Sequence, residues 1–180
     1  MVNNTFDVMS YKRYGVYESP KLIVMKCYED QRGILYETFA EDELNKLLLN
    51  DQKFICEKIS ITNKEHTLRG LHVNMTTYKL MHVIQGGTFH VVVDMRKGSP
   101  MFQVPHTFFL KDSFPSLLLL PPGFANGFMT LFDNVIFQYK LSQYYNQYEE
   151  TVIKWNDPEL NIQWPVMDMN QIIISDKDAN

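Results

Sequence analysis

The segment Leu68-Arg69-Gly70-Leu71-His72 places an arginine and a histidine on either side of a Gly-Leu pair. If the segment is a strand, alternation sends Arg69 and Leu71 to one face of the sheet and Gly70 and His72 to the other. Arginine can hold phosphate oxygens through its planar guanidinium group, and histidine can transfer a proton near neutral pH. A lone histidine beside a glycine is more often structural, so a functional interpretation depends on its neighbours.

Two further residues could join that histidine. Lys79 begins a predicted strand, and a hairpin would return it beside the same opening, although a lysine at such a place is commonly a surface charge. Tyr139 shares a predicted strand face with Phe137, where core packing is the more common role. An imidazole, an ammonium group and a phenol around one opening make up a proton-transfer site in outline. We therefore predict such a site around His72.

Composition restricts the classes of function. The chain has 180 residues, of which 45% are hydrophobic and 21% charged, and its formal net charge is −4. These values indicate a single globular domain over residues 1–180. The negative charge argues against a nucleic-acid partner, but a small anionic ligand needs only a few local cations. No apolar segment is long enough to span a bilayer and no signal-peptide pattern is present, so we expect a cytoplasmic protein without a membrane partner.

The sequence has no motif for a metal or a cofactor. Cys27 and Cys56 form no Cys-x-x-Cys pair, so neither a zinc site nor a disulfide framework is expected. A cupin-type metal site needs a His-x-His pair followed by a glutamate. That spacing is absent among His66, His72, His82 and His90. Glycine-rich nucleotide-binding motifs and the Gly-x-Ser-x-Gly motif are also absent. We expect neither a metal nor a cofactor.

Turn signals at short spacing predict an all-β fold of the sandwich or barrel type rather than βαβ units. The predicted strands cover residues 20–27, 34–39, 79–84, 88–94, 101–110, 117–120 and 134–141. One helix is predicted after Thr38, whose spacing to Glu41 is that of a capping box. An apolar stripe follows in that helix, which we expect to end at Asn50 or Asp51; the stripe consists of Leu44, Leu47 and Leu48.

Many short motifs resemble, in the same order, those of nucleotide-sugar 3,5-epimerases of the dTDP-4-keto-rhamnose epimerase type. The resemblance covers most of the chain, and the motifs together are far more specific than any one of them. It implies a cupin-like jelly-roll β-barrel with a few short peripheral helices, no cofactor, and a homodimer formed through N-terminal strand exchange. The motifs are residues 32–37, 68–72, 79–80, 93–100, 121–128, 139–140, 155–158, 164–165 and 175–178.

The resemblance also implies roles for individual residues. His72 would be the base that removes a proton beside a ketone, and Asp178 would orient its imidazole. Lys79 would stabilise the enolate oxygen, and Tyr139 would return a proton from the opposite face. Arg69 would bind the diphosphate. Further substrate-binding positions implied by the matching motifs are Arg32, Glu37, Asn74, Asn126, Tyr145 and Lys177.

The chain departs from the family pattern around the base-binding pocket. Asn126 replaces the usual second histidine, His72-Val73-Asn74 replaces His-x-Gln, and Lys79-Leu80-Met81-His82 replaces Lys-Leu-Val-Arg. Residues 54–60 lack the amides of the thymidine enzymes, and the loop between His72 and Lys79 is shorter. Loss of these contacts would weaken thymine binding. The shortened loop resembles epimerases of GDP-linked 6-deoxy-4-keto-heptoses in capsule synthesis, so the sequence favours a GDP-linked over a dTDP-linked substrate.

Several alternatives remain open. The chain could instead be a dTDP-4-dehydrorhamnose 3,5-epimerase, a 3,4-ketoisomerase on the same barrel, or a sugar-binding barrel without catalysis. Tyr139-Lys140 and residues 175–178 favour an epimerase over a ketoisomerase. A pure binder has no need of a base and an opposed acid. Tyr139 also favours inversion at both carbon 3 and carbon 5 rather than at one of them.

Overall fold

The computed structural model describes residues 6–10, 18–146 and 149–179. No helix in these ranges is long and apolar enough to cross a membrane. Two short helices are present, α1 (Glu41–Leu44) and α2 (Asp176–Ala179). The strands are β1 (Phe6–Ser10), β2 (Lys21–Met25), β3 (Cys27–Asp30), β4 (Gly33–Tyr36), β5 (Cys56–Thr62), β6 (Leu68–Asn74), β7 (Lys79–Gln85), β8 (Gly87–Asp94), β9 (Pro105–Lys111), β10 (Ser116–Leu120), β11 (Phe124–Thr130), β12 (Val135–Leu141) and β13 (Glu150–Val152).

The strands form two facing antiparallel sheets and a separate hairpin. The order of the first sheet is β1-β2-β10-β7-β12-β5, and that of the second is β13-β6-β11-β8-β9. Within the described ranges, β3 pairs only with β4. Most neighbours in a sheet are distant in sequence, as in a jelly roll. The predicted all-β class, a cupin-like jelly-roll barrel with a few short helices, is confirmed.

Apolar side chains form three layers around the two sheets. The central layer lies between the sheets and includes Val92, Phe128 and Phe137. A second layer, with Leu71, Val91 and Trp164, covers the outer face of the five-stranded sheet. A third, with Leu44, Leu80 and Leu119, covers the outer face of the six-stranded sheet. Both sheets are therefore buried on two faces over much of their area, which explains why β8 and β10 consist entirely of buried residues.

The predicted helix is much shorter than expected. Only residues 41–44 are α-helical, and a single 3-10 turn over Asn45–Leu47 follows. Ala40, and not Thr38, is the N-cap, and no side chain caps the helix, so the capping-box prediction was wrong. Leu44 and Leu48 are buried against the six-stranded sheet. One short turn is enough to bury these two side chains, and this packing outweighs the local preference for a longer helix.

The predicted strand limits agree with the structure in the centre of the chain and fail elsewhere. The strands predicted at 79–84, 88–94, 117–120 and 134–141 correspond to β7, β8, β10 and β12. The strand predicted at 20–27 ends at Met25, and β3 begins two residues later, while the strand predicted at 34–39 ends at Tyr36. The strand predicted from residue 101 begins only at Pro105, because residues 99–104 turn back on themselves through hydrogen bonds from Phe102 to Ser99 and from Val104 to Met101. Strands β5, β11 and β13 were not predicted; in β11, Gly127 interrupts the pattern of side chains.

Strand β6 contains a bulge that changes the direction of its side chains. In the pairing with β11, His72 lies opposite Asn126 and Arg69 opposite Phe128, so Gly70 and Leu71 together face the single residue Gly127. Such a bulge shifts the alternation by one position. Arg69 and His72 consequently line the same cavity, while Leu71 packs in the opposite apolar layer. The prediction that Arg69 and His72 face opposite sides was therefore wrong.

Close approach of the two backbones at the bulge requires glycine. Gly70 has φ +107°, and a Cβ atom there would lie 2.7 Å from the Asn126 carbonyl oxygen and 2.7 Å from the Gly127 Cα. A Cβ on Gly127 would lie 2.7 Å from the Arg69 carbonyl oxygen. Real Cβ atoms do not tolerate such contacts, and both obstacles are backbone atoms that cannot rotate away. The bulge therefore depends on both glycines.

We predict that Gly70→Ala destabilises the fold strongly. The substitution combines an unfavourable φ, worth about 1–3 kcal/mol, with overpacking worth a further ~1–3 kcal/mol. Gly33→Ala is a matched control, because Gly33 has φ +123° but no atom within 4 Å of the added Cβ. Urea unfolding should show a clearly larger loss for Gly70→Ala than for Gly33→Ala. Equal losses would contradict the role given to the close approach.

Candidate active site

A cavity of about 320 Å³ opens between the two sheets. Nine of the eleven predicted site residues line it, which brings together side chains from both sheets and from the C-terminal helix. The nine are Arg69, His72, Asn74, Lys79, Asn126, Tyr139, Tyr145, Lys177 and Asp178. The two that do not line it are Arg32 and Glu37.

His72 is held by Asp178, which is 106 residues away in sequence. The imidazole Nε2 lies 2.7 Å from Asp178 Oδ1, and Asp178 Oδ2 accepts a hydrogen bond of 3.0 Å from the Gly70 amide. The Asp178 side chain is 7% exposed, and that of His72 is 24% exposed. Because an ionised carboxylate can only accept, this contact assigns the proton of a neutral ring to Nε2. The nitrogen left to accept a proton is Nδ1.

A second carboxylate, Glu150, lies on the other side of the ring. Its Oε1 is 3.6 Å from His72 Nδ1, and its Oε2 accepts a hydrogen bond of 2.8 Å from Lys177. Burial by itself opposes ionisation of Glu150, but Lys177 and His72 outweigh it and the pKa of the carboxyl is lowered. An imidazolium formed at His72 would thus have a carboxylate beside each of its nitrogens.

Lys79 provides an ammonium group in the same cavity. Its Nζ donates hydrogen bonds to Asn126 Oδ1 at 2.6 Å and to the His72 carbonyl oxygen at 3.4 Å. Burial lowers the pKa of Lys79 to about 8, with a small opposing effect of Glu150. Asn126 lies on β11 and Lys79 on β7, so their hydrogen bond joins the two sheets across the cavity. This hydrogen bond orients the Lys79 ammonium group, which loses its proton more easily than that of an ordinary lysine.

Tyr139 reaches the cavity from the opposite sheet to His72. It lies on β12 of the six-stranded sheet, whereas His72 lies on β6 of the five-stranded sheet. Burial, assisted by the Glu150 charge, raises the pKa of the Tyr139 phenol, and Arg69 opposes this effect. The phenol is therefore protonated across the neutral range and can act as an acid. A base and an acid thus approach the cavity from two different walls.

Other predicted binding residues have contacts of their own. Arg69 lines the cavity with its Nε 3.4 Å from Thr62 Oγ1. Asn74 uses its side-chain oxygen to accept from the Thr76 and Thr77 amides, so it also shapes the loop before β7. Tyr145 lies at the mouth, with its hydroxyl 3.4 Å from Glu150 Oε2. These positions are compatible with the predicted binding roles, which remain predictions.

Arg32 and Glu37 belong to the separate hairpin. Arg32 pairs with Asp30 at 2.6 Å within the β3–β4 turn, and its side chain is 85% exposed. Glu37 follows β4 and is also exposed. Within one chain, the structure does not bring either residue to the cavity. Their predicted substrate contacts stay predictions that would require the hairpin of another copy.

Three further polar residues that were not predicted also line the cavity: Glu150, Lys58 and Ser60. Glu150 stands in a polar segment without periodicity, and no local pattern marks it. On β5 a signal does exist, because the exposed side chains Ile59 and Ile61 alternate with the cavity-lining Lys58 and Ser60. Apolar residues outside and polar residues inside are the reverse of a normal half-buried strand. That inversion indicates a polar cavity.

The described residues contain no group of three or more histidine, cysteine, aspartate or glutamate side chains suited to a metal ion. The charged side chains that line the cavity are four cations, Lys58, Arg69, Lys79 and Lys177, and two carboxylates, Glu150 and Asp178. The cavity therefore has an excess of positive charge in a chain whose net charge is −4. This favours a small anionic ligand.

Comparisons with known proteins find relatives that match most of this chain. A dTDP-4-dehydrorhamnose 3,5-epimerase from Shigella flexneri is 34% identical over 168 residues, which are 91% of this chain and 91% of that protein. The crystal structure of dTDP-6-deoxy-D-glucose-3,5-epimerase from Legionella pneumophila, in complex with dTDP-4-keto-L-rhamnose, has a TM-score of 0.86. It is 34% identical and covers 97% of this chain and 90% of its own.

A second solved structure gives the same result. The Bacillus anthracis dTDP-4-dehydrorhamnose 3,5-epimerase, with TDP and PPi bound, has a TM-score of 0.82 and 36% identity, over 89% of this chain and 91% of its own. The family model for dTDP-4-dehydrorhamnose 3,5-epimerase matches residues 18–180. With these matches over nearly the whole chain, the protein belongs to the dTDP-4-dehydrorhamnose 3,5-epimerase family of nucleotide-sugar epimerases.

Proposed function

We propose that this chain inverts carbon 3 and carbon 5 of a dTDP-linked 6-deoxy-4-keto hexose. The observation that carries the proposal is the pairing of an oriented base, His72, with a protonated phenol, Tyr139, on opposite sheets of one cavity. Lys79 adds a cation to the same cavity. These are the three groups that a cofactor-independent epimerisation next to a ketone requires.

The reaction would begin with proton removal from a carbon beside the ketone. The 4-keto group acidifies the neighbouring C–H bond, and His72 Nδ1 accepts the proton while the electron pair moves onto the ketone oxygen. Asp178 and Glu150 stabilise the resulting imidazolium. Lys79 donates to the enolate oxygen, where negative charge develops. Asn126 fixes the direction of that ammonium group.

Inversion would be completed from the other side of the sugar ring. Tyr139 donates its phenolic proton to the same carbon on the face opposite His72, and the enolate returns to a ketone. The phenolate and the imidazolium then exchange protons with solvent, which restores both groups. Repetition at the second carbon inverts both centres. The raised pKa of Tyr139 keeps the phenol protonated for this step.

The predicted nucleotide of the substrate changes in the light of the comparisons. The departures around the base pocket favoured a GDP-linked heptose of capsule synthesis, but the comparisons do not support that preference. The relatives are named for dTDP-linked sugars, and the Legionella structure contains one. The dTDP-linked alternative is therefore the better supported substrate. A cytoplasmic location and a single domain over residues 1–180 stay predictions.

A homodimer belongs to the same proposal. The predicted strand exchange concerns the N-terminal part of the chain, of which residues 1–5 and 11–17 lie outside the described residues. Support comes from exposed apolar side chains on the edge strand β5, where Ile59 and Ile61 are 57% and 66% exposed, and on the hairpin, where Leu35 is 72% exposed. A second copy that covered these residues could bring its Arg32 and Glu37 towards the cavity.

Deuterium uptake tests the reaction. In deuterated water, the dTDP-linked 6-deoxy-4-keto hexose should gain two carbon-bound deuterons, seen by mass spectrometry, and should change configuration at both carbons, seen by NMR. His72→Asn should reduce uptake about 10²- to 10⁴-fold. Tyr139→Phe should retain some exchange while losing inversion, because the base is still present.

Other results would separate the alternatives. A product whose carbonyl group has moved to carbon 3 would identify a ketoisomerase. Binding without any uptake would identify a sugar-binding barrel. Faster turnover of a GDP-linked substrate than of the dTDP-linked one would restore the original nucleotide prediction.

The dependence of kcat on pH should reflect the ionisation of Lys79. The active form carries the ammonium group, and the pKa of Lys79 is about 8, so kcat should fall as the pH rises through about 8. Asn126→Asp places a carboxylate beside Nζ, which favours the charged form and should move this limb upward by about one unit or more. An alkaline limb that stays in place in Asn126→Asp would show that another group controls it.

Sedimentation analysis tests the dimer. The chain should sediment as a dimer, and Ile61→Glu should shift it towards monomer, because burying a carboxylate in an apolar interface is costly. Phe109→Glu on the other edge strand, β9, is the control, since Phe109 is 59% exposed and has no place in the proposed interface. A monomeric wild-type chain would rule out the dimer.

A further inference from the structure

Lys58 lies on the inner face of β5, at the edge of the six-stranded sheet. Its side chain and that of Ser60 line the cavity. In the pairing of β5 with β12, Lys58 lies directly opposite Tyr139, and Ser60 lies opposite Phe137. Directly opposed residues on one face have Cβ atoms about 5 Å apart. The ammonium group is therefore carried by the strand next to the proposed acid.

The contacts of Lys58 differ from those of the other lysines in the cavity. Lys177 pairs with Glu150, and Lys79 donates to Asn126. Among the described residues, Lys58 forms no ion pair; its Nζ lies over the Tyr145 ring, 4.3 Å from the ring centre. A cation–π contact at a partly exposed site contributes about 0.5–1 kcal/mol. It orients the ammonium group at the mouth and leaves its N–H donors available to a ligand.

Arg69 is a second cation that lines the cavity and forms no ion pair with the described residues. Its Nε contacts Thr62 Oγ1 at 3.4 Å, and that hydroxyl lies 3.5 Å from Ser60 Oγ. Lys58, Ser60 and Thr62 occupy alternate positions of β5, so they share one face and span about 13 Å along the strand. Hydrogen-bond donors thus follow one another along β5, with the Lys58 ammonium group at one end and the Arg69 guanidinium group beside Thr62 at the other.

We propose that Lys58 is a second cation that binds the diphosphate of the substrate, beside the Arg69 contact that the family resemblance implies, and that the Tyr145 ring presents Lys58 for this contact. This inference rests on the proposed function, since it assumes a nucleoside-diphosphate sugar. The sugar must lie between His72 and Tyr139 for proton transfer, and the diphosphate is bonded to its carbon 1. Lys58 is the neighbour of Tyr139 across the strand pair, so the diphosphate of a sugar in that position comes within reach of its long side chain.

The chemistry of an ammonium group favours phosphate over the base. Lysine is a point charge on a flexible stem and binds phosphate without demanding one orientation. A hydrogen bond from Lys58 to a carbonyl or ring nitrogen of the base is the competing role. Loss of that contact would affect one base and not another, whereas loss of a diphosphate contact would affect every nucleoside diphosphate equally.

Calorimetric binding to Lys58→Gln tests the proposal. The Kd for dTDP should rise about 10- to 100-fold, the loss expected for one charge-assisted hydrogen bond. The Kd for GDP should rise by the same factor, that for dTMP by less, and thymidine binding should not change. Lys58→Arg should restore most of the affinity. The affinity of Lys58→Gln should also depend less steeply on salt concentration than that of the wild type.

Two control variants exclude simpler explanations. Lys64→Gln removes the same charge from an exposed residue that pairs with Asp133 outside the cavity, and should bind dTDP like the wild type. Tyr145→Leu removes the ring beneath the ammonium group and should weaken dTDP binding in the wild type more than in Lys58→Gln. An equal effect of Tyr145→Leu in both backgrounds would overturn the presenting role of the ring.

The outcomes separate this proposal from the proposed reaction, because binding is measured without turnover. Unchanged dTDP affinity in Lys58→Gln, a loss confined to one base, or no dTDP binding by the wild type would overturn the diphosphate contact. Base-independent loss of diphosphate affinity, in a protein that exchanges no deuterium, would leave the contact standing and reject the reaction. Deuterium exchange by the wild type, together with normal dTDP affinity in Lys58→Gln, would support the reaction and reject the diphosphate contact.

Discussion

The close approach of β6 and β11 at Gly70 and Gly127 is the constraint on which the site depends. It accommodates the bulge that turns both Arg69 and His72 towards one cavity. It also leaves the Gly70 amide free of the regular strand pairing, so that this amide donates to Asp178 while the same carboxylate holds His72. One backbone irregularity thus sets the direction of His72, of its carboxylate partner and of Arg69. A regular strand would send Arg69 and His72 to opposite faces.

The electrostatics of the cavity follow from its position between two apolar layers. Burial makes the Lys79 ammonium group more acidic and the Tyr139 phenol less acidic, so their pKa values move apart and the ammonium group becomes the more acidic of the two. Glu150 is kept ionised by Lys177 and His72 despite its burial. The hydrogen bond from Lys79 to Asn126 uses a neutral acceptor. A carboxylate in place of the Asn126 amide would stabilise the Lys79 ammonium group before the reaction as well. The ammonium group would then favour the enolate over the resting ketone by less.

Local sequence patterns predicted the parts of this fold that local forces control. Turn signals at short spacing were sufficient to place the central strands β7 and β8, and the order of short motifs identified the barrel. Sequence could not predict the bulge, because it arises from contact between β6 and β11, or the length of α1, because packing of Leu44 and Leu48 sets it. Glu150 was also beyond reach, since its role depends on its distance from His72 in space. Arg32 and Glu37 stayed apart from the cavity because their hairpin is a separate unit of the chain.

The edge position of β5 has a consequence for substitutions of the residues that line the cavity. Lys58 and Ser60 stand on a strand with a single neighbour, whereas His72, Lys79 and Asn126 stand on interior strands whose outer faces are packed. A substitution of Lys58 or Ser60 is therefore expected to disturb fewer packed neighbours than a substitution of His72, Lys79 or Asn126. The proposed diphosphate contact of Lys58 and the proposed proton transfer on the sugar thereby lie on different strands of the barrel.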